Sequence, residues 1–275
     1  MNMIQKISLI PNLKPSEYIG NYDNEGLKSG FGILKWPNGT TFKGNFEDDK
    51  INGWGIINYN NQDIFKGEFN NDKANGFGNY IYKNGKNKIG YFLNDVLTGI
   101  GFEFDNNEFY IGEFRNGEKD GIGIIQLDDN VVYEGEWKNN NYNGFGIRYY
   151  DNGDIYNGYW LNNFRDGYGE YIWLGGQKYV GFFKNDKKQG FGIYYLLNDT
   201  YDVGYYNNGN LEGVAKCFIG KEINYAVWRK GIKERVFMDE NELRKKRDFD
   251  LNKYSKLIKL DIKNVKHFIE EEDHD

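Results

Sequence analysis

The chain has 275 residues, a formal net charge of −6 and an isoelectric point near 5.2, so broad attraction to nucleic acid is not expected. Aromatics at 18%, with 36 glycines and only three prolines, fit neither a disordered chain nor collagen. A single cysteine, Cys217, excludes an internal disulfide framework, and no stretch approaches the ~20 apolar residues of a membrane-spanning helix.

Residues 1–17 read as a lead-in segment. The opening "MNMIQKISLI" carries one lysine and a short apolar run, then "PNLKPSE" with no small-residue cleavage site, and residue 2 is asparagine. Neither secretion nor N-myristoylation is expected, which points to an intracellular, cytoplasmic setting.

From residue 18 a period takes over. A glycine with an aromatic two residues on occurs at Gly20/Tyr22, Gly44/Phe46, Gly67/Phe69, Gly90/Phe92, Gly112/Phe114, Gly135/Trp137, Gly158/Trp160, Gly181/Phe183 and Gly204/Tyr206, at spacings of 22 to 24 residues. A Gly-x-Gly follows each of the first eight, and the ninth has Gly213 and then Ala215. "AVWRKG", Ala226 to Gly231, reads as a degenerate half-repeat. Tyr133, Gly135 and Trp137 alternate as on one face of a strand, "KNNNYN" is an Asn-rich turn, and "GFGIRYY" alternates again. Asn38-Gly39, Asn84-Gly85, Asn152-Gly153, Gly175-Gly176 and Asn198-Asp199 recur at the second turn, where hairpins need positive φ. Each period is thus a β-hairpin, and an isolated hairpin is marginal in water, so every unit must lean on its neighbours. Glycine leaves a hole in the side-chain layer, and an aromatic from an adjacent strand is expected to lie across it. The Gly/aromatic pairs above are the expected packing residues.

Past about residue 235 glycine gives way to helix formers, and 236–275 reads as a charged helical tail. Asp239 and Glu242 fit a capping box. Tyr254, Leu257, Ile258, Val265, Phe268 and Ile269 form a mostly helical stripe, interrupted by Asp261. The tail is a candidate cap for the last sheet edge, a dimerisation element, or a partner site. Arg244, Lys245, Lys246 and Arg247 are a candidate membrane or localisation run.

"YEGEWKNNNYNGFG", Tyr133 to Gly146, recurring about every 23 residues over 18–235, resembles the MORN (membrane occupation and recognition nexus) repeat. The resemblance implies an all-β chain: an elongated, twisted, single-layer antiparallel meander of about nine hairpins with a groove. It further implies a scaffold or adaptor role, of the kind found in ciliary spokes and in apicomplexan basal and budding structures. The Asn-rich turns hint at a protist genome. Lys88 and Asp202 depart from the pattern by replacing the leading aromatic, and Asp49, Asp72, Asp95 and Asp186 stand where the family has glycine, in turns they can still adopt. Bacterial cell-wall-binding repeats have a similar period but belong to secreted proteins, and the leucine pattern of leucine-rich repeats is missing.

Catalysis is not expected, nor are a cofactor or a metal. The only histidines, His267 and His274, lie in the tail. Gly144-x-Gly146 opens no helix and recurs in every repeat, so it is no phosphate loop. Glu134/Glu136, Asp48/Asp49 and Asp128/Asp129 read as solvated surface. A single-layer sheet with apolar residues on both faces should expose an aromatic strip. Trp36, Trp54, Tyr59, Phe145, Tyr171, Trp173, Phe191 and Tyr194 are the candidates for holding a helical or extended peptide. Over 18–235 there are 24 Lys and Arg against 29 Asp and Glu, with no basic stripe. Weak phosphoinositide contact therefore ranks below protein binding. A stand-alone targeting module for a separate enzyme is a third reading.

Overall fold

The structure is a computed structural model, and it describes residues 8–244. These divide at Asn141/Tyr142 into two compact units. The first holds β1 (Glu17–Tyr22), β2 (Lys28–Lys35), β3 (Thr41–Glu47), β4 (Lys50–Asn58), β5 (Ile64–Asn70), β6 (Lys73–Ile81), β7 (Asn87–Leu93), β8 (Val96–Asp105), β9 (Glu108–Arg115), β10 (Glu118–Leu127) and β11 (Asn130–Lys138). The second holds β12 (Asn141–Tyr149), β13 (Ile155–Leu161), β14 (Phe164–Ile172), β15 (Lys178–Lys184), β16 (Lys187–Tyr195), β17 (Thr200–Asn207), β18 (Asn210–Ile219), β19 (Glu222–Arg229), β20 (Ile232–Phe237) and the short α1 (Glu240–Arg244). Within each unit successive strands pair antiparallel, so both are all-β meanders. The stretch Ala226–Gly231 belongs to a complete hairpin, because β19 pairs with β20.

Register is set by glycine. In the first unit Gly20, Gly32, Gly44, Gly55, Gly67 and Gly78 face one another across consecutive strands, and the row continues to Gly135. In the second unit the row runs from Gly146 through Gly158, Gly169, Gly181 and Gly192 to Gly204. The trough this leaves is filled by the leading aromatic of each repeat. A Cβ on Gly44 or Gly55 would meet the Phe42 ring at 2.5 or 2.2 Å, and Tyr156 stands the same way over Gly158 and Gly169. The covering ring therefore comes from the strand of the first glycine and from the neighbouring strand of the second, where adjacent-strand cover alone was expected.

Leading and trailing aromatics then pack edge to face in a zigzag. Phe42 meets Phe46 and Phe69, Phe65 meets Phe69 and Phe92, and Tyr156 meets Trp160 and Phe183, with centroids 5.0 to 5.5 Å apart. Buried polar tips are satisfied locally: Tyr133, Tyr156 and Tyr179 donate to the carbonyls of Glu136, Tyr159 and Phe182. Trp137 and Trp160 donate Nε1–H to the Gly123 and Gly146 carbonyls.

Three expected packing sites differ. Tyr22, on the first strand, has no preceding repeat to cover it and is 58% exposed. Gly90 and Gly204, whose repeats lack the leading aromatic, are covered by Leu97 and Leu211. Phe114 lies over Gly101 of the adjacent strand, the adjacent-strand cover expected. Gly112 lies under Tyr110, whereas a Cβ on Gly101 would meet the Phe114 ring at 3.1 Å. Phe92 reaches Gly78 in the same way, at 3.3 Å, and with Lys88 in the leading place the Phe114 ring is the one over Gly101, its centre 5.6 Å from the Lys88 ammonium. Phe114 is buried all the same, edge to face with Tyr110.

The two turns of a repeat also differ. At the first, paired Asn or Asp residues both take positive φ, as at Asp48 (48°) and Asp49 (66°), the geometry of a two-residue I′ hairpin. At the Asn-Gly turns of 38–39, 84–85 and 152–153 only the glycine is left-handed. The first-turn acid has a further use: Asp49, Asp72, Asp95 and Asp186 each accept, through Oδ1, the backbone N–H of a residue 21 positions earlier. Their own N–H groups return to the carbonyls of the same residues, so each turn is stapled to the preceding hairpin. Glycine there supplies only the backbone half, as at Gly117 and Gly209.

At the C-terminal end Glu242 N–H donates to Asp239 Oδ1 while Glu242 Oε2 accepts from Met238 N–H, so the capping box forms one residue displaced. Lys245, Lys246, Arg247 and the apolar stripe from Tyr254 to Ile269 lie outside the described residues.

Candidate partner-binding surface

Alternation sends each strand's residues to two faces. The glycine rows and buried rings occupy one, here the ring face. On the other stand the residues between paired glycines: Phe31, Trp54, Phe77, Ile100, Ile122 and Phe145, all exposed. The sequence candidates therefore split. Trp54, Phe145 and the half-buried Phe191 are on this opposite face, whereas Trp36, Tyr59, Tyr171, Trp173 and Tyr194 share the ring face.

Near the strand ends the ring face carries a second set of aromatics. In the first unit Tyr59 stacks on Tyr80 at 5.9 Å, and Tyr80 meets Tyr82 at 4.6 Å. Asp63 fixes this ladder by accepting from Tyr80 Oη at 2.9 Å and from Lys83 N–H at 2.8 Å. The second unit repeats the arrangement four repeats later. Tyr150 and Tyr171 are 5.8 Å apart, Tyr171 and Trp173 4.7 Å, and Asp154 accepts from Tyr171 Oη at 2.7 Å and Leu174 N–H at 3.0 Å. Tyr194 extends this ladder against Trp173. The hydrogen bond from Tyr171 holds the Asp154 carboxyl below its ordinary range, while burial and Asp154 hold the Tyr171 phenol above its own.

The two ladders differ in what they contact. In the first unit the chain's own residues 8–16 reach the ring face. Tyr59 Oη donates to the Leu9 carbonyl at 2.7 Å, and Asp95 accepts from Leu9 N–H and the Ser8 hydroxyl. Leu9 is 7% exposed and Trp36 4%. Trp36 is thus a packing residue, not a partner-binding one, and Tyr59 is already engaged. Tyr80 and Tyr82 stay half-buried, as do Tyr150, Tyr171, Trp173 and Tyr194, and the second ladder is flanked by exposed Leu174, Leu196 and Leu197.

Where the rings lapse in the first unit, charge takes over. Lys88 faces Glu103 directly across the strands. Glu103, 6% exposed, pairs with Lys86, Lys88 and Lys119 at 3.1 to 3.2 Å. Burial works against ionisation of Glu103, yet the three ammoniums outweigh it and leave its pKa lowered. The glycine register of β7 and β8 placed this pair, and reading the register from the sequence would have found it. Cys217 is buried beside Asp202, and burial first, then that hydrogen bond, pushes its thiol up to about 12. Among the described residues no group of His, Cys, Asp and Glu is arranged to hold a metal, and no helix is long and apolar enough to cross a membrane. The surface offers flat rings, anchored hydroxyls and cations, the components of a peptide-binding face.

The family model described as the MORN repeat matches residues 18–41, 65–86, 110–131, 133–155, 156–178 and 179–198. No curated protein matches the chain in sequence. Among solved structures, the TCP10 domain of Danio rerio CPAP is similar at 15% identity and TM-score 0.41, covering 75% of this chain and 99% of that one. The SAS-4 (dCPAP) TCP domain of Drosophila melanogaster, solved with a proline-rich motif of Ana2 (dSTIL), is similar at 16% identity and TM-score 0.28, covering 72% and 99%. At such scores neither structure says what this chain binds.

Proposed function

The chain belongs to the MORN-repeat family, and from that premise we propose that it is a non-catalytic scaffold or adaptor that holds a protein partner on the ring face of its second unit. The observation that carries this reading is the doubled ladder. In one copy a segment of the chain itself is held at Tyr59, which supports the face as one that takes a peptide, and its twin at Tyr150, Tyr171, Trp173 and Tyr194 carries no such segment among the described residues. Stacked rings anchored by Asp154 are pre-ordered, which lowers the entropic cost of binding. The finer reading, a place in a cytoskeletal, ciliary or membrane-skeleton assembly, is supported by the family alone and is tested by imaging the tagged protein.

The binding role is tested by capture from the native cell with the full chain, comparing Trp173→Ala, Trp54→Ala and wild type at matched melting temperature. Trp173→Ala is expected to lower recovery of specific partners by about tenfold, the effect of removing an aromatic anchor. Trp54→Ala, on the opposite face, should leave it unchanged. The opposite pattern would move the site to the other face.

A further inference from the structure

Two lysines hold the same place in their repeats, two residues before the first glycine of the Gly-x-Gly pair. Lys119 in the first unit lies 4.8 Å from the Tyr110 ring and 5.3 Å from that of Trp137, and its ammonium is met by Glu103 at 3.2 Å and Glu108 at 3.4 Å. Lys188 in the second unit sits among four rings, Trp173, Tyr179, Tyr194 and Tyr206, at 4.9 to 5.7 Å. Tyr171 now occupies the repeat position of Glu103, and Gln177 that of Glu108. Among the described residues no carboxylate pairs with Lys188, and burial lowers its pKa.

A second cation on the same face has a similar deficit. Arg148 lies over Tyr142 and Tyr150, and its buried Nε has no hydrogen-bond partner among the described residues. Arg165, between them in the chain, is balanced by Asp186 at 3.0 Å. Rings soften the desolvation of a cation, but a carboxylate does so more fully. Lys119 shows the completed arrangement, whereas Lys188 and Arg148 have the rings without an acid among the described residues.

The chain carries a segment that matches this deficit. Beyond the described residues it continues to Phe268-Ile269-Glu270-Glu271-Glu272-Asp273-His274-Asp275, an apolar pair leading an acidic block. β12 and β16, which hold Arg148 and Lys188, are four strands apart, roughly 19 Å, and the two residues lie on opposite sides of the glycine row, which lengthens the span to about 25 Å, the reach of the eight residues Phe268–Asp275 when extended. From α1 to Phe268 the intervening chain spans about 35 Å even in its shortest regular form, a helix, against roughly 19 Å from β20 to β16.

We infer that Phe268–Asp275 docks in cis on the ring face of the second unit, its carboxylates meeting Lys188 and Arg148 and its apolar pair covering the Tyr171–Trp173–Tyr194 ladder. The inference rests on the proposed binding role of that face and assigns its regulation: the tail competes with the partner, and an acidic partner segment displaces it.

The test is zero-length carbodiimide cross-linking of the full chain, which joins an amine to a carboxylate in contact, followed by peptide mapping of the monomer band. A bond between Lys188 and one of Glu270, Glu271 or Glu272 is expected, and it should vanish in E270K/E271K/E272K. A labelled peptide of residues 265–275 should bind that charge-reversed protein at least tenfold tighter than wild type, with the gain lost on adding Lys188→Met or Arg148→Met. Absence of the Lys188 bond together with equal peptide affinity for both proteins overturns the inference. So does a Lys188 bond confined to the dimer band, which would make a second copy the source of the tail. Either failure leaves the binding role standing if capture still depends on Trp173.

Discussion

Gly158→Ala is expected to destabilise the second unit by about 3 kcal/mol, the upper part of the range for overpacking. The added Cβ would lie 2.5 Å from Gly169 Cα, 2.8 Å from the Tyr168 carbonyl oxygen and 2.7 Å from Tyr156 Oη. Two of these three are backbone atoms of the paired strand, so relief requires moving the ladder itself. Gly209→Asn is the control, because it sits at φ 87° with nothing within 4 Å of its Cβ, in a region asparagine tolerates. Its effect should stay within about 0.5 kcal/mol, as for surface changes. Urea denaturation of the three proteins measures both. Equal losses at the two positions would show that backbone freedom, and not close approach, is why glycine recurs.

Tyr156→Ala is expected to cost about 3–5 kcal/mol, as for other buried aromatics truncated in a core. This ring is fully buried, covers Gly158 and Gly169, and packs edge to face on Trp160 and Phe183. Two opposed glycines leave no side chain able to collapse into the vacated space. Tyr156→Phe should cost only about 1 kcal/mol, the worth of its hydrogen bond to the Tyr159 carbonyl. Phe42 and Phe65 fill the same place without a hydroxyl. Thermal melts of both variants decide the matter, and a Tyr156→Ala melt near wild type would remove the rings from the packing account.

The same glycines and rings explain how much of the molecule was legible beforehand. A period of paired glycines and aromatics is a local pattern, and strand alternation converts it directly into a face, so the hairpins and their buried rings follow from the residues. The functions of exceptions were not local. Lys88 reads as a lapse until the glycine register sets Glu103 opposite it. Asp72 reads as a tolerated substitute for glycine until the fold brings the Ile51 N–H to its carboxylate. Trp36 and Trp173 look alike in sequence, and they part in burial, Trp36 being 4% exposed and Trp173 half-buried, while the lead-in residues 8–16 are held at Tyr59 and Asp95. No periodicity in those lead-in residues announces where they will lie. The pairing of Tyr59, Tyr80 and Asp63 with Tyr150, Tyr171 and Asp154 was visible as a long repeat within the short one, but only their contacts show it to be one construction made twice.

That construction is the centre of the account, and hydroxyl-radical footprinting of the full chain carrying E270K/E271K/E272K, which frees the ladder from the tail, alone and with a captured partner, tests it most directly. The account predicts that the partner protects Tyr150, Trp173 and Tyr194, while Phe145, Tyr159 and Phe182 on the opposite face keep their free rates. Protection of those three, with the ladder unchanged, would contradict it.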